Sequence, residues 1–121
     1  MNRFVSIKKI SELEFLIIEK VKSIRSKKNI PKQELSRSIG VADSFIGKVE
    51  SYAFPDKYNL RHLSLIAKAF KLKSTRELLP TTIPKYDMIR VIYEKVPKIN
   101  KDGSPSKQLE EKVLKIEPLN N

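Results

Sequence analysis

The residues most able to do chemistry lie between Lys32 and Asn59. Lysine ammonium groups in this stretch are suited to phosphate oxygens, and its hydroxyl, amide and carboxylate groups can hydrogen-bond to the edges of nucleic-acid bases. An aromatic ring can contact a thymine methyl group, and a glycine lets the backbone approach a ligand closely. The candidate nucleic-acid-binding residues are therefore Lys32, Gln33, Asp43, Ser44, Phe45, Gly47, Lys48, Ser51, Lys57 and Asn59.

Several of these residues also have a purely structural interpretation. Partial packing explains Phe45 better than contact with a base, and a close crossing of two helices explains Gly47 better than approach to DNA. Lys32 and Lys48 favour phosphate over base contacts, because a flexible ammonium group acts as a point charge. Asp43 would be repelled by phosphates, so stabilising a helix amino end or pairing with Lys32 is favoured over accepting from a cytosine amino group.

The remaining candidates leave two interpretations open. Lys57 and Asn59 lie in a loop and at a helix cap, where backbone amides commonly meet a phosphate, but a solvated surface explains them equally well. Glu50 is expected to be structural, paired near Arg61 or a helix end.

Two short helices joined by a tight turn would position these side chains. Apolar residues three and four apart give one buried face to each of two predicted helices, 32–39 and 43–51. Gly40 fits the turn between them, because glycine adopts the left-handed backbone conformation without steric cost. This pattern predicts a helix-turn-helix, whose second helix enters the major groove of DNA.

An earlier helix is predicted from Ser11 to about Ser26. Ser11 and Glu14 have the spacing of a capping box, in which each side chain satisfies a free amide of the other residue's turn. Phe15 and Ile18 lie off the main apolar face of this helix. Further structure is therefore expected to cover them.

Two more helices are predicted after the helix-turn-helix. Asn59 is a good cap for a helix over 60–70, and a capping box starting at Ser74 predicts a short last helix that ends at Pro80. Residues 11–80 are thus expected to form a five-helix DNA-binding domain.

The two ends of the chain read differently from the helical region. Residues 1–10 form either a basic arm along DNA or an edge strand, with Arg3, Lys8 and Lys9 favouring the arm and Phe4, Val5 and Ile7 the strand. Residues 81–121 begin with a proline-bracketed linker and then alternate between apolar and polar positions, which predicts a β-hairpin with Asp102–Gly103 at its tip. The predicted fold class is mainly α, a five-helix bundle with a C-terminal β-hairpin appendage.

The charge of the chain supports a nucleic-acid partner. The 121 residues include 25 lysines and arginines against 14 acids, a net charge of +11. Residues 1–80 contain 17 basic and 8 acidic residues, so most of the excess surrounds the helix-turn-helix.

The composition also excludes several classes of function. Cysteine is absent and His62 is the one histidine, so we expect no disulfide, no metal site and no cofactor. No catalytic constellation is recognisable, which argues against an enzyme. No segment is long and apolar enough for a membrane span or a secretion signal, so a cytoplasmic protein without membrane contact is expected.

Residues 21–80 resemble the lambda-repressor-like (Xre/Cro-type) helix-turn-helix family. The resemblance implies a five-helix bundle that binds operator DNA as a dimer, with the third helix in the major groove. The matching residues are Ile30, Glu34, Leu35, Gly40, Val41, Ile46, Val49, Glu50, Pro55, Leu63, Ala67 and Leu72.

We therefore expect a sequence-specific transcriptional regulator that inserts its third helix, about 43–51, into the major groove as a homodimer on a palindromic operator. The alternative is an antitoxin-type or adaptor protein-interaction module with DNA binding secondary, which Phe15, Ile18 and the hairpin favour. A lone hairpin is marginal in water. It is expected either to form the dimer interface or to cover the first helix within one chain.

Overall fold

The computed structural model describes residues 5–119. These residues form three strands, four α-helices and one 3₁₀ helix. Arg3 and Phe4, two of the residues that favour an arm or a strand, lie outside the described residues. In chain order the elements are β1 (Val5–Ser11), α1 (Glu12–Lys27), α2 (Lys32–Ser38), α3 (Phe45–Glu50), α4 (Leu60–Ala69), the 3₁₀ helix (Thr75–Leu78), β2 (Met88–Ile99) and β3 (Pro105–Pro118).

The prediction of a mainly α, five-helix bundle is wrong. Within residues 5–119 four α-helices pack against a three-stranded antiparallel sheet, and the predicted last helix is a single 3₁₀ turn. Ser74 and Glu77 do form the expected capping box, but Leu79 already has extended backbone angles. Because so few residues separate the cap from the stop, the segment closes only i→i+3 hydrogen bonds, such as Leu79 N to Arg76 O.

The sheet joins the two ends of the described chain. β1 pairs with the first half of β2, from Ser11 opposite Met88 to Val5 opposite Glu94. β3 pairs along almost all of β2, so the strand order is β1–β2–β3. Residues 5–11 are thus an integral strand rather than an arm lying along DNA.

Two apolar clusters form the core. One lies among the helices and includes Val21, Leu35, Ile46, Ile66 and Phe70. The second lies between the helices and the sheet, where Phe15 packs at its edge. Its buried members are Ile10, Ile18, Val49, Tyr52, Ile89, Val91 and Tyr93.

The second cluster explains why α1 has apolar side chains, such as Ile18, outside the face that packs on the other helices. Ile18 is only 4% exposed because the sheet covers it within the same chain. On β2, Ile89, Val91 and Tyr93 are buried by the same packing. These side chains therefore cannot supply the apolar surface of a homodimer interface.

Beyond the end of β1, β2 and β3 continue as a two-stranded arm. Lys95 pairs with Glu111 and Ile99 with Pro105, and the turn is closed by Asn100 N donating to Ser104 O. Gly103 has a positive φ of 88° at the tip. The arm borders the surface formed by α2 and α3.

Candidate nucleic-acid interface

A buried serine fixes the crossing of α2 and α3. Ser36 is fully buried, and its hydroxyl donates to Lys32 O at 3.0 Å and accepts from Ile46 N at 3.1 Å. Helix α3 begins at Phe45, two residues later than expected, so Asp43 and Ser44 belong to the preceding turn. Both lie exposed beside the amino end of the helix.

The two glycines of this motif have different roles. Gly40 has a φ of +76° in the turn between α2 and α3, a conformation in which other residues are strained. A Cβ built on Gly47 would meet only Lys32 Cδ, at an ordinary 3.8 Å. The helix crossing therefore does not require glycine at position 47, contrary to the packing explanation.

Asp43 belongs to a surface network with two α2 side chains. Its carboxylate accepts from Arg37 Nη2 at 2.9 Å, from Arg37 Nε at 3.1 Å and from Gln33 Nε2 at 3.0 Å. Hydrogen bonds from Arg37 and then Gln33 lower the pKa of Asp43. The expected pairing with Lys32 is wrong, because the charge that Asp43 neutralises is that of Arg37.

Phe45 is largely part of the packing beside α4. Its ring centroid lies 4.7 Å from that of His62 and 6.1 Å from that of Tyr58. It is neither fully buried nor fully exposed, and it contacts both core clusters.

Lys48 lies on the exposed face of α3, and its ammonium group is 5.9 Å from the centroid of the Phe54 ring. Lys57, in the loop after α3, forms a 3.2 Å ion pair with Glu14. An exposed ion pair of this kind contributes little stability. The Lys57 ammonium group can therefore leave Glu14 and pair with another anion.

Asn59 is committed to capping α4. Its side-chain oxygen accepts from His62 N at 2.7 Å, and Asn59 N donates to His62 Nδ1 at 3.1 Å. Burial and the neighbouring Arg61 lower the pKa of His62, which keeps the ring neutral and able to accept. The side-chain oxygen of Asn59 is thus already used within the chain.

A buried ion pair holds α3 against α1. Arg25 Nε and Nη2 donate to the two carboxylate oxygens of Glu50 at 2.7 and 2.8 Å, and Arg25 Nη1 donates to Ile30 O at 2.8 Å. The expectation that Glu50 pairs near Arg61 is therefore wrong. A bidentate arginine pair of this geometry restricts the orientation of α3.

Hydrogen bonds connect the sheet to the carboxyl end of α3 and to the loop that follows it. Glu111 of β3 accepts from Ser51 Oγ and from Tyr52 N, both at 2.7 Å. Lys8 of β1 donates to Phe54 O at 2.6 Å, and burial followed by the nearby Lys57 lowers its pKa. Lys8 is thus buried beneath the loop after α3, and it is not available for an arm along DNA.

An open cleft of about 510 Å³ lies between the hairpin arm and the helices α2 and α3. Residues of α1, α2, α3 and both hairpin strands line it. They include Lys32, Gly47 and Ser51 of the predicted site, together with Lys95 and Lys98 of the hairpin.

Most of the predicted residues lie in one region of the structure, but they have different roles there. Lys32, Gln33, Ser44 and Lys48 are exposed around α3, and Gly47 and Ser51 lie beside the cleft. The positioning residues Arg25, Arg37 and Glu111 were not predicted. The lysines at 95, 98 and 101, three residues apart, were a visible signal of a basic arm, but no local pattern links Glu111 to Ser51.

No family model matches the chain, and no curated protein matches it. A matching solved structure is the crystal structure of a hypothetical transcription factor, NHTF, from Neisseria. It is 20% identical, and the match covers 57% of this chain and 76% of that chain with a TM-score of 0.49. At this level of similarity the likeness does not decide the function of the chain.

Within residues 5–119, no helix combines the length and the apolar character needed to cross a lipid bilayer.

Proposed function

We propose that the chain is a sequence-specific DNA-binding transcriptional regulator of the lambda-repressor-like type, which inserts α3 and the turn before it into the major groove. The observation that carries this proposal is the two-sided character of α3. Ile46 and Val49 are buried on one side, while Lys48 on the other side and Ser44 just before the helix are exposed. A helix that packs on the protein with its buried side and presents a polar side to solvent is suited to reading base edges in the major groove.

The charge distribution supports the same proposal. Lys32 and Lys48 lie on the two helices of the motif and are suited to phosphate contacts. Ser44 precedes α3, where a hydroxyl can donate to or accept from a base edge. Binding rather than catalysis is therefore the proposed activity.

Selection of binding sites from random duplex DNA, followed by fluorescence anisotropy at several salt concentrations, tests the proposal. We expect an enriched site and a steep loss of affinity with salt, about 10³–10⁵-fold between 50 and 200 mM for six to ten phosphate contacts. No enrichment together with a flat salt response would contradict it.

Two variants separate affinity from specificity. Lys48→Ala should weaken binding to all duplexes alike, because it removes a sequence-independent phosphate contact. Ser44→Ala should mainly reduce the preference for the selected site, by about 1–3 kcal/mol if the contact is direct. Equal effects of both variants on all sequences would leave α3 without a reading role.

Asp43→Asn tests the surface network beside α3. The substitution removes the charge that neutralises Arg37, so binding to all duplexes should become tighter and less selective. Lower thermal stability with unchanged selectivity would instead make Asp43 a purely structural residue.

A homodimer on a palindromic operator is part of the proposal, because one module buries too little surface for strong specific binding. Its contacts must come from surface other than Ile89, Val91 and Tyr93. The protein-interaction alternative loses the support of Phe15, Ile18 and the inward side chains of β2, which pack on one another within one chain. Leu114 and Ile116 of β3 stay exposed and are apolar surface that a second copy could cover. Sedimentation of the free protein and of the DNA complex measures the stoichiometry.

A further inference from the structure

The cleft between the hairpin arm and the helix-turn-helix is rich in positive charge. Arg25 and Glu50, both at its wall, neutralise each other. The other charged lining residues are four lysines and two glutamates, namely Lys22, Lys32, Lys95, Lys98, Glu110 and Glu111. The cleft therefore has an excess of two positive charges and is open to solvent.

The cleft is continuous with the surface assigned to DNA. Lys32 belongs to α2 of the helix-turn-helix, and Gly47 and Ser51 belong to α3 and its carboxyl end. Lys95 and Lys98 reach the same space from the hairpin. A polyanion lying along α3 would pass between these two groups of lysines.

We propose that the hairpin arm is a second DNA-contacting element, whose Lys95 and Lys98 bind backbone phosphates beside the groove occupied by α3. This inference rests on the proposed DNA-binding function and adds a distinct part of the chain to it. In this arrangement the DNA backbone lies in the cleft, with α2 and α3 on one side and the hairpin arm on the other. We call this arrangement the clamp.

Glu111 is the positioning residue of this clamp. Its two 2.7 Å hydrogen bonds to Ser51 Oγ and Tyr52 N tie β3 directly to the carboxyl end of α3. A carboxylate in a DNA-binding cleft is electrostatically unfavourable, so its presence is explained by the geometry it imposes. Without these bonds the arm could move away from α3.

The first experiment compares two charge-matched double variants. Lys95→Ala/Lys98→Ala should weaken DNA binding and lower the slope of log affinity against log salt by about 0.9 for each phosphate that the protein no longer neutralises. The control, Lys68→Ala/Lys73→Ala, removes the same charge from exposed positions outside the cleft and should leave the slope almost unchanged. Circular dichroism melts establish that both variants are folded.

The second experiment replaces each of two neighbouring glutamates by alanine. Each substitution removes one negative charge, so a purely electrostatic effect on DNA binding would be the same for both. Glu110→Ala removes a negative charge from the cleft lining and should strengthen DNA binding or leave it unchanged. Glu111→Ala removes the same charge, yet it should weaken binding because the arm loses its anchor. In hydroxyl-radical footprints, the outermost backbone sugars that the wild-type protein protects should lose their protection in both the Glu111 variant and the Lys95/Lys98 variant.

Wild-type binding with unchanged slope and footprint in the Lys95/Lys98 variant would overturn the clamp and leave the proposed function intact. A loss of inorganic phosphate binding in that variant, with DNA binding unaltered, would likewise overturn it and indicate a small-anion site. If the wild-type protein binds no duplex DNA at all, the proposed function fails and the clamp fails with it.

Discussion

At the scale of single residues, the surface around α3 combines side chains held by partners with side chains turned toward solvent. Arg25, Glu50 and Ser36 fix the helix from behind. Arg37 and Asp43 neutralise each other on the surface, beside the exposed Ser44. We therefore expect stability and the proposed DNA binding to respond to substitutions at different positions.

Gly47→Ala should stabilise the protein and weaken DNA binding. A Cβ at this position meets only Lys32 Cδ at 3.8 Å, so the substitution should gain about 0.5–1 kcal/mol of helix stability. The added methyl group would hold a DNA backbone or base edge away from α3. Urea denaturation measures the first effect and anisotropy the second.

Gly40→Ala is the matched control for this prediction. Its φ of +76° strains any residue with a Cβ, so the free energy of unfolding should fall by about 1–2 kcal/mol. A decrease of stability at both positions would show that α3 has no room at Gly47.

Tyr58→Phe should leave the protein equally stable or make it more stable. The Tyr58 hydroxyl is buried and has no hydrogen-bond partner among the described residues. An unsatisfied buried hydroxyl costs about 1–3 kcal/mol, and phenylalanine keeps the ring contact with Phe45. Thermal and urea denaturation measure the change.

Tyr52→Phe provides the comparison, because the Tyr52 hydroxyl donates to Glu19 at 3.2 Å. Its removal should cost about 1 kcal/mol. A greater destabilisation by Tyr58→Phe than by Tyr52→Phe would mean that the Tyr58 hydroxyl has a stabilising partner.

At the scale of secondary-structure elements, the amino end of α4 depends on the protonation of one side chain. Neutral His62 accepts from Asn59 N through Nδ1, which a protonated ring cannot do. Because the pKa of His62 in the folded protein is lowered from 6.5, the cap contributes fully above pH 6.5 and is lost as the pH falls through the folded pKa.

His62→Gln should remove this part of the pH dependence. Glutamine is a capping-box acceptor that stays neutral, so the variant should lose less stability than the wild type when the pH is lowered from about 7 to about 5. Parallel urea titrations at each pH isolate the difference, because all other titrating groups are shared. Identical pH profiles would show that the cap does not depend on His62 protonation.

At the scale of the whole molecule, the sheet makes the helical region dependent on both ends of the chain. β1 precedes α1, β2 and β3 follow the 3₁₀ helix, and their shared face covers Ile18, Val49 and Tyr52. The helices and sheet therefore share one of the two core clusters.

Truncation after Pro80 should unfold the protein or greatly lower its melting temperature. It exposes Ile10, Ile18 and Val49, and each loses about 1.5–3 kcal/mol of burial against a typical total stability of about 5–15 kcal/mol. Increased binding of an apolar dye and loss of a cooperative melt would be the observed result.

A shorter deletion is the control for the truncation. Val96 and Glu110 are paired, so replacing residues 97–109 by Asn-Gly closes a two-residue hairpin in register. This variant keeps β1, the packed half of β2 and the end of β3, and it should melt close to the wild type. A cooperatively folded 1–80 fragment would contradict the shared core.

Local patterns determined much of the secondary structure. The spacing of apolar residues predicted α1, α2, α3 and α4, and the capping residues Ser11, Asn59 and Ser74 lie at the expected helix starts. The period-two alternation predicted strands at 88–96 and 112–118. These features depend on side chains within a few residues of one another, so the sequence alone contains them.

Tertiary structure decided which surfaces and side chains meet. Nothing local specifies that β1 pairs with β2, that Arg25 pairs with Glu50, or that Glu111 bonds Ser51 across 60 residues. Such contacts form only when the whole chain has folded, because they depend on packing geometry rather than on periodicity. The mainly α prediction was wrong because β1 joins the sheet, and the hairpin's place beside α3 was not predicted, for this same reason.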